Sequence, residues 1–176
     1  DNDVTVTANY ADNTLTVTAT NGNVTSSVGG CTGASCSVNF NQGTSVTLTA
    51  NAVTGYTFTG WSGGGCSGVG TCVVTMNSPT SVTATYAANS RTLSITANGG
   101  TLGGTVAGAK DYNTAISITN TASPASKYFT GWTSTNSVCT GTGACSFNMP
   151  DNDVTVTASY ADNTLTVTAT NGNVTS

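Results

Sequence analysis

The chain has 176 residues, and only 6% of them are charged: three Lys or Arg and seven carboxylates, all Asp, with no His. Three scattered cations (Arg91, Lys110 and Lys127) cannot make the basic footprint that a phosphate backbone requires, so no nucleic-acid partner is expected. No stretch approaches the roughly 18 apolar residues of a spanning helix, so no membrane insertion is expected in this segment. Without His, without Glu and without a nucleophile beside a base, the sequence offers no acid–base or covalent chemistry. We therefore expect no enzyme and no cofactor.

Repetition organises the chain. Residues 1–26 recur at 151–176 with one difference, Asn9 against Ser159. A weaker repeat lies inside the long one. Tyr56-Thr-Phe-Thr-Gly-Trp61 returns as Lys127-Tyr-Phe-Thr-Gly-Trp132, Cys66–Cys72 as Cys139–Cys145, and Met76 as Met149. These matches divide the sequence into four parts. Residues 1–12 read as the last strand of a preceding B-type repeat, 13–88 as repeat A, 89–162 as repeat B, and 163–176 as the first hairpin of a following A-type repeat. On this reading the parent protein continues past both ends. A unit of about 75 residues buries only around 60% of its unfolded surface, so it needs staples or neighbours.

Period-2 alternation marks strands, in chain order, at Leu15–Ala19, Val46–Ala50, Val82–Tyr86, Leu93–Ala97, Ile116–Thr119 and Val154–Ala158. Asn21-Gly22 and Asn98-Gly99 read as hairpin-type turns between them. No 3.6-residue apolar pattern of useful length appears; at most a turn of helix fits near 122–127. The expected class is all-β: tandem small repeat domains, β-grasp-related or sandwich-like, with little or no helix.

The six cysteines form three close pairs, each around Gly-containing turn sequence. Six thiols allow 15 pairings, and local spacing favours Cys31–Cys36, Cys66–Cys72 and Cys139–Cys145, each closing a hairpin-like loop. The rival is a four-cysteine zinc site from Cys31, Cys36, Cys66 and Cys72. Repeat B lacks the first pair, which favours disulfides and hence an oxidising compartment.

The aromatic residues recurring at matched positions, Tyr56, Phe58, Trp61, Tyr86, Phe129, Trp132 and Tyr160, read as core anchors rather than sugar platforms. A ligand site, if the repeats carry one, is expected where repeat B diverges, at Lys110, Asp111 and Tyr112 and over 133–138. Asp151, Asp153 and Asp162 form a weak Ca²⁺ candidate, as do Asp1, Asp3 and Asp12; turn chemistry explains them more simply. Alternating Thr raises an ice-binding face, but any half-exposed strand shows it.

Leu15-Thr-Val-Thr, a loop with four residues between two cysteines, Gly43-Thr-Ser-Val-Thr-Leu-Thr-Ala50, Gly55-Tyr-Thr-Phe-Thr-Gly-Trp-Ser62, the Cys66–Cys72 loop, Val74-Thr-Met76 and Ser81-Val-Thr-Ala-Thr-Tyr86 follow one another in order. This progression resembles the divergent internalin B-repeat family of bacterial surface proteins. The resemblance implies small β-rich modules strung in arrays on exported proteins, and no enzymatic activity. The expected role is a structural tandem-repeat segment of a bacterial extracellular fibre, stalk or giant adhesin. An adhesin module recognising a glycan or protein, assisted by Ca²⁺, is the alternative. Expected partners are neighbouring repeats, other copies joined by β-strand addition in a filament, and a host, cell or glycan surface.

Overall fold

The computed structural model describes residues 4–5 and 12–167. The chain forms two compact units, Asp1–Asn89 and Ser90–Ser176. Unit 1 contains β1 (Asp12–Ala19), β2 (Gly22–Ser26), β3 (Thr32–Gly33), β4 (Ser35–Asn41), β5 (Ser45–Ala52), β6 (Tyr56–Gly63), β7 (Cys72–Thr75) and β8 (Thr80–Ala88). These make two four-stranded sheets, ordered β4-β1-β8-β6 and β3-β2-β5-β7. All pairings are antiparallel except β1 with β8, which run parallel from Leu15↔Thr80 to Ala19↔Ala84.

Strand alternation sets the core. Leu15, Val17, Val82 and Ala84 of the first sheet and Val24, Val46, Leu48 and Val74 of the second point into one shared interior, closed by Met76. Each such aliphatic side chain contributes about 1.5–3 kcal/mol by leaving water. The unit is therefore sandwich-like. The side-chain amide of Asn13 also enters this interior, where its Nδ2 donates to the Met76 carbonyl at 2.9 Å.

The path of the chain departs from the expected series of hairpins. Every connection in unit 1 except β2 to β3 crosses from one sheet to the other. Asn21-Gly22 is thus a corner between sheets, with Asn21 in the left-handed region at φ 64°. Tyr86 of β8 explains the corner. Its ring lies directly against Gly22, and its hydroxyl donates to the Asn23 carbonyl at 2.7 Å, which ties the first sheet to the second.

Unit 2 repeats the plan with β9 (Ser90–Ala97), β10 (Thr101–Gly104), β11 (Gly108–Asp111), β12 (Ala115–Ala122), β13 (Lys127–Ser134), β14 (Cys145–Asn148) and β15 (Val154–Asp162). The sheets are ordered β11-β9-β15-β13 and β10-β12-β14, and β9 runs parallel to β15. Their shared core contains Leu93, Ile116, Ile118, Met149, Val154 and Val156. No strand corresponds to β3. Residues 122–127 hold no helical turn; the 3-10 turn of this unit is Thr135–Ser137, inside the stretch inserted between Trp132 and Cys139. The strand expected over 1–12 and the hairpin expected over 163–176 fall largely outside the described residues.

Candidate functional site

The cysteines pair as Cys31–Cys36, Cys66–Cys72 and Cys139–Cys145, with Cα separations of 5.4, 5.3 and 5.3 Å. No thiol remains for a zinc site. The bridges do not close hairpins. Cys66–Cys72 spans the link from β6 to β7, and Cys139–Cys145 the link from β13 to β14; in both cases the flanking strands belong to different sheets. Each of these two bridges therefore staples a sheet-to-sheet crossover.

Trp61 and Trp132 hold the same two loops from inside. The Trp61 backbone N–H donates to the Gly68 carbonyl at 2.9 Å, and its indole Nε1 donates to the Gly70 carbonyl at 2.6 Å. Trp132 repeats this with Gly141 at 2.8 Å and Gly143 at 2.7 Å. Both indoles are buried, so neither is a sugar platform. Phe58 meets Trp61 and Tyr86 at ring-centroid distances of 5.2 and 5.3 Å; Phe129 meets Trp132 and Tyr160 at 5.1 and 5.5 Å. Tyr86 is buried, while Tyr56, Phe58, Phe129 and Tyr160 are half-buried against these cores.

Both the staple and the phenol can be probed by melting. Replacing Cys66 and Cys72 with Ser releases a short loop whose closure constrains the unfolded chain by about 2 kcal/mol. Thermal unfolding should show one unit melting earlier with the other unchanged; an unchanged profile would mean that Trp61 alone holds the loop. The phenol concerns pH. Burial pushes the Tyr86 hydroxyl above its ordinary value, partly offset by the Asn51 backbone N–H. A raised folded-state value leaves this contribution intact below pH of about 10 and removes it as pH climbs through the folded value, because only the unfolded chain releases the proton freely. Alkaline melts of Tyr86→Phe should lose less stability above that pH than wild type. Parallel slopes would refute the assignment.

The carboxylates expected to gather around Ca²⁺ do not converge. Asp151 pairs with Arg91 at 2.8 Å, and Asp153 accepts the Thr92 backbone N–H at 2.7 Å. Asp162 pairs with Lys127 at the far end of β15, about 30 Å along the strand from Asp153. Among the described residues no three His, Cys, Asp or Glu come together as metal ligands. Asp1 and Asp3 lie outside the described residues.

The diverged part of repeat B is also split. Lys110 and Asp111 sit on β11, paired with Arg91 and Ser90, and Tyr112 follows them. Thr133 and Ser134 sit on β13 at the opposite edge of the same sheet. Three strand spacings, about 14 Å, separate the two groups, so they do not form one site.

What the structure does assemble is a hydroxyl-bearing sheet face in each unit. In unit 1 the registers align Ser35, Thr18, Thr83 and Ser62 in one row across four strands, and Ser37, Thr16 and Ser81 in the next. In unit 2 Thr96, Thr157 and Thr133 form a row, and Ser94 and Thr155 another. A depression of about 260 Å³ on this face is lined by Thr133, Ser134, Thr135, Thr155 and Thr157. Such a surface can donate and accept hydrogen bonds but carries no titratable group to drive a reaction. Alternating Thr was visible in the sequence. The rows were not, because they depend on parallel pairing between strands far apart in the chain.

No curated protein and no solved structure matches the chain. The profile of the divergent InlB B-repeat domain matches residues 13–90 and 92–164, once over each unit. With two modules built on the same sheet pairings, the same Trp-pinned loops and the same match, the chain belongs to the divergent InlB B-repeat family.

Proposed function

We propose that the chain is a non-catalytic structural segment of an exported bacterial protein, working as part of an extracellular stalk or fibre. The observation that carries this reading is the duplication itself. Each unit has its own core and stapled crossover, and the segment 1–26 recurs at 151–176 almost without change. Repeats that are stable through their own cores add length without any one of them carrying a unique site. The disulfides fit an oxidising exterior. The absence of His and Glu from the sequence fits a passive role. Electron microscopy of the native source tests the proposal. Filaments or long stalks labelled by an antibody to these units are expected; compact isolated particles would overturn it.

A second reading is an adhesin module. The hydroxyl-lined depression around Thr133, Thr155 and Thr157 favours a glycan there over a charged ligand. Glycan-array binding that Thr157→Val abolishes, with folding intact, would support it. Silence across the array would leave the spacer reading alone.

A further inference from the structure

The two units differ where the stapled crossover meets the second sheet. In unit 2, β14 pairs with β12 only from Ala115 to Ile118. On that side the next residues of β12, Thr119 and Asn120, border the Cys139–Cys145 crossover instead of a strand. A cleft of about 250 Å³ results, lined by Thr119, Asn120, Phe129, Thr142, Gly143 and Ala144. None of the six has a titratable side chain.

Shared geometry identifies the counterparts in unit 1. Ile118 pairs with Cys145 as Leu48 pairs with Cys72, so Asn120 corresponds to Ala50. The Trp132 N–H donates to the Gly141 carbonyl as the Trp61 N–H donates to that of Gly68, so Thr142 corresponds to Val69 and Gly143 to Gly70. Phe129 corresponds to Phe58, each packed against a Trp and a Tyr. Unit 2 therefore keeps the aromatic ring and places an amide and a hydroxyl where unit 1 has two apolar side chains.

The amide is set in a defined orientation. Alternation puts Asn120 on the same side of β12 as the buried Ile116 and Ile118, at the margin of the core. In unit 1 the Tyr86 hydroxyl donates to the Asn23 backbone carbonyl; in unit 2 the Tyr160 hydroxyl donates instead to Asn120 Oδ1, at 2.8 Å. With its oxygen held by Tyr160, the Asn120 Nδ2 has no partner among the described residues. Its two N–H donors stand at the wall of the cleft, beside the half-buried Phe129 ring.

We propose that this cleft binds one neutral pyranose ring, as a terminal or branching sugar of a glycan. An aromatic ring flanked by a few fixed polar groups matches a sugar, which has an apolar C–H face and a rim of hydroxyls. Phe129 takes the apolar face, the Asn120 amide donates to ring hydroxyls, and the Thr142 hydroxyl donates or accepts. With no charged group in the lining, a sugar carboxylate would lose its water and gain no partner, so acidic sugars are disfavoured. The site goes beyond the spacer reading. It is also separate from the depression at Thr133, Thr155 and Thr157, which lies on the outer face of a sheet.

Nuclear magnetic resonance titration of the isotope-labelled chain with the methyl glycosides of glucose, galactose, mannose and N-acetylglucosamine tests the proposal. At least one should shift the amides of Asn120, Thr142 and Gly143 saturably, with a dissociation constant of about 1–10 mM for so small a ligand. The amides of Ala50, Val69 and Gly70 should stay in place. Asn120→Ala and Thr142→Val install the residues with which unit 1 folds, and each should weaken binding about tenfold. No saturable shift with any of the four, equal shifts in both units, or binding indifferent to both variants would each overturn the proposal. So would tighter binding of methyl glucuronide than of methyl glucoside. Binding that Thr157→Val abolishes and Asn120→Ala spares would overturn the cleft and assign the sugar to the outer face.

Discussion

Trp61→Ala should unfold unit 1 at temperatures where unit 2 remains native. Removing a buried Trp costs about 3–5 kcal/mol. Here it also removes the indole's hydrogen bond to the Gly70 carbonyl, worth about another 1 kcal/mol. Domains carry only about 5–15 kcal/mol in total, and small ones sit at the low end. Since about 1 kcal/mol moves the melting temperature of a unit this size by about 4–8 °C, a fall of at least about 15 °C is expected. The sequence has two Trp, so intrinsic fluorescence of the variant reports Trp132 in unit 2 alone, while circular dichroism reports both units. Two separated transitions by circular dichroism, with fluorescence following only the later one, are expected. A single transition at the wild-type temperature would show that the indole does not hold the loop.

Gly22→Ala should be nearly as damaging, although it adds one methyl group. The new Cβ would occupy the space of the Tyr86 ring. That ring cannot retreat cheaply, because Phe58 packs against it and its hydroxyl is fixed on the Asn23 carbonyl. Overpacking of about 1–3 kcal/mol and a lost hydrogen bond of about 1 kcal/mol add to about 2–4 kcal/mol. Combining Gly22→Ala with Tyr86→Leu should cost less than the sum of the two single changes, because the second removes the clash. Strict additivity would rule out the collision. Gly100 stands in the same relation to Tyr160, so Gly100→Ala should repeat the effect in unit 2.

Much of this protein is determined locally and is therefore legible in the sequence. The β class follows from Thr and β-branched residues alternating with period 2, since alternate side chains of a strand face opposite sides whatever it pairs with. The three disulfides follow from short spacing, which brings each pair within reach in almost any loop. The aromatic core follows from residues recurring at matched positions in two units. Pairing partners are a different matter. Asn21-Gly22 carries a hairpin signal, yet β1 and β2 enter different sheets, because the Tyr86 ring, distant in the chain, occupies the inner side of the corner.

The sites divide along the same line. Asp151, Asp153 and Asp162 are close in sequence and look like a ligand set, but an extended strand carries Asp162 away to Lys127 while Arg91 and Thr92 take the other two. The hydroxyl rows exist only because β1 lies parallel to β8, and β9 to β15. The short link between β10 and β11 is plain in the sequence as a missing cysteine pair. That Ile95, Ala97 and Leu102 are only partly buried, where Val17, Ala19 and Val24 of unit 1 are sealed, could be seen only once strands from both sheets were in register around them. Strand, staple and repeat depend on neighbours along the chain, and the order of residues is enough to read them. Which strands meet rests on burial shared among residues far apart in sequence, and folding alone brings those together.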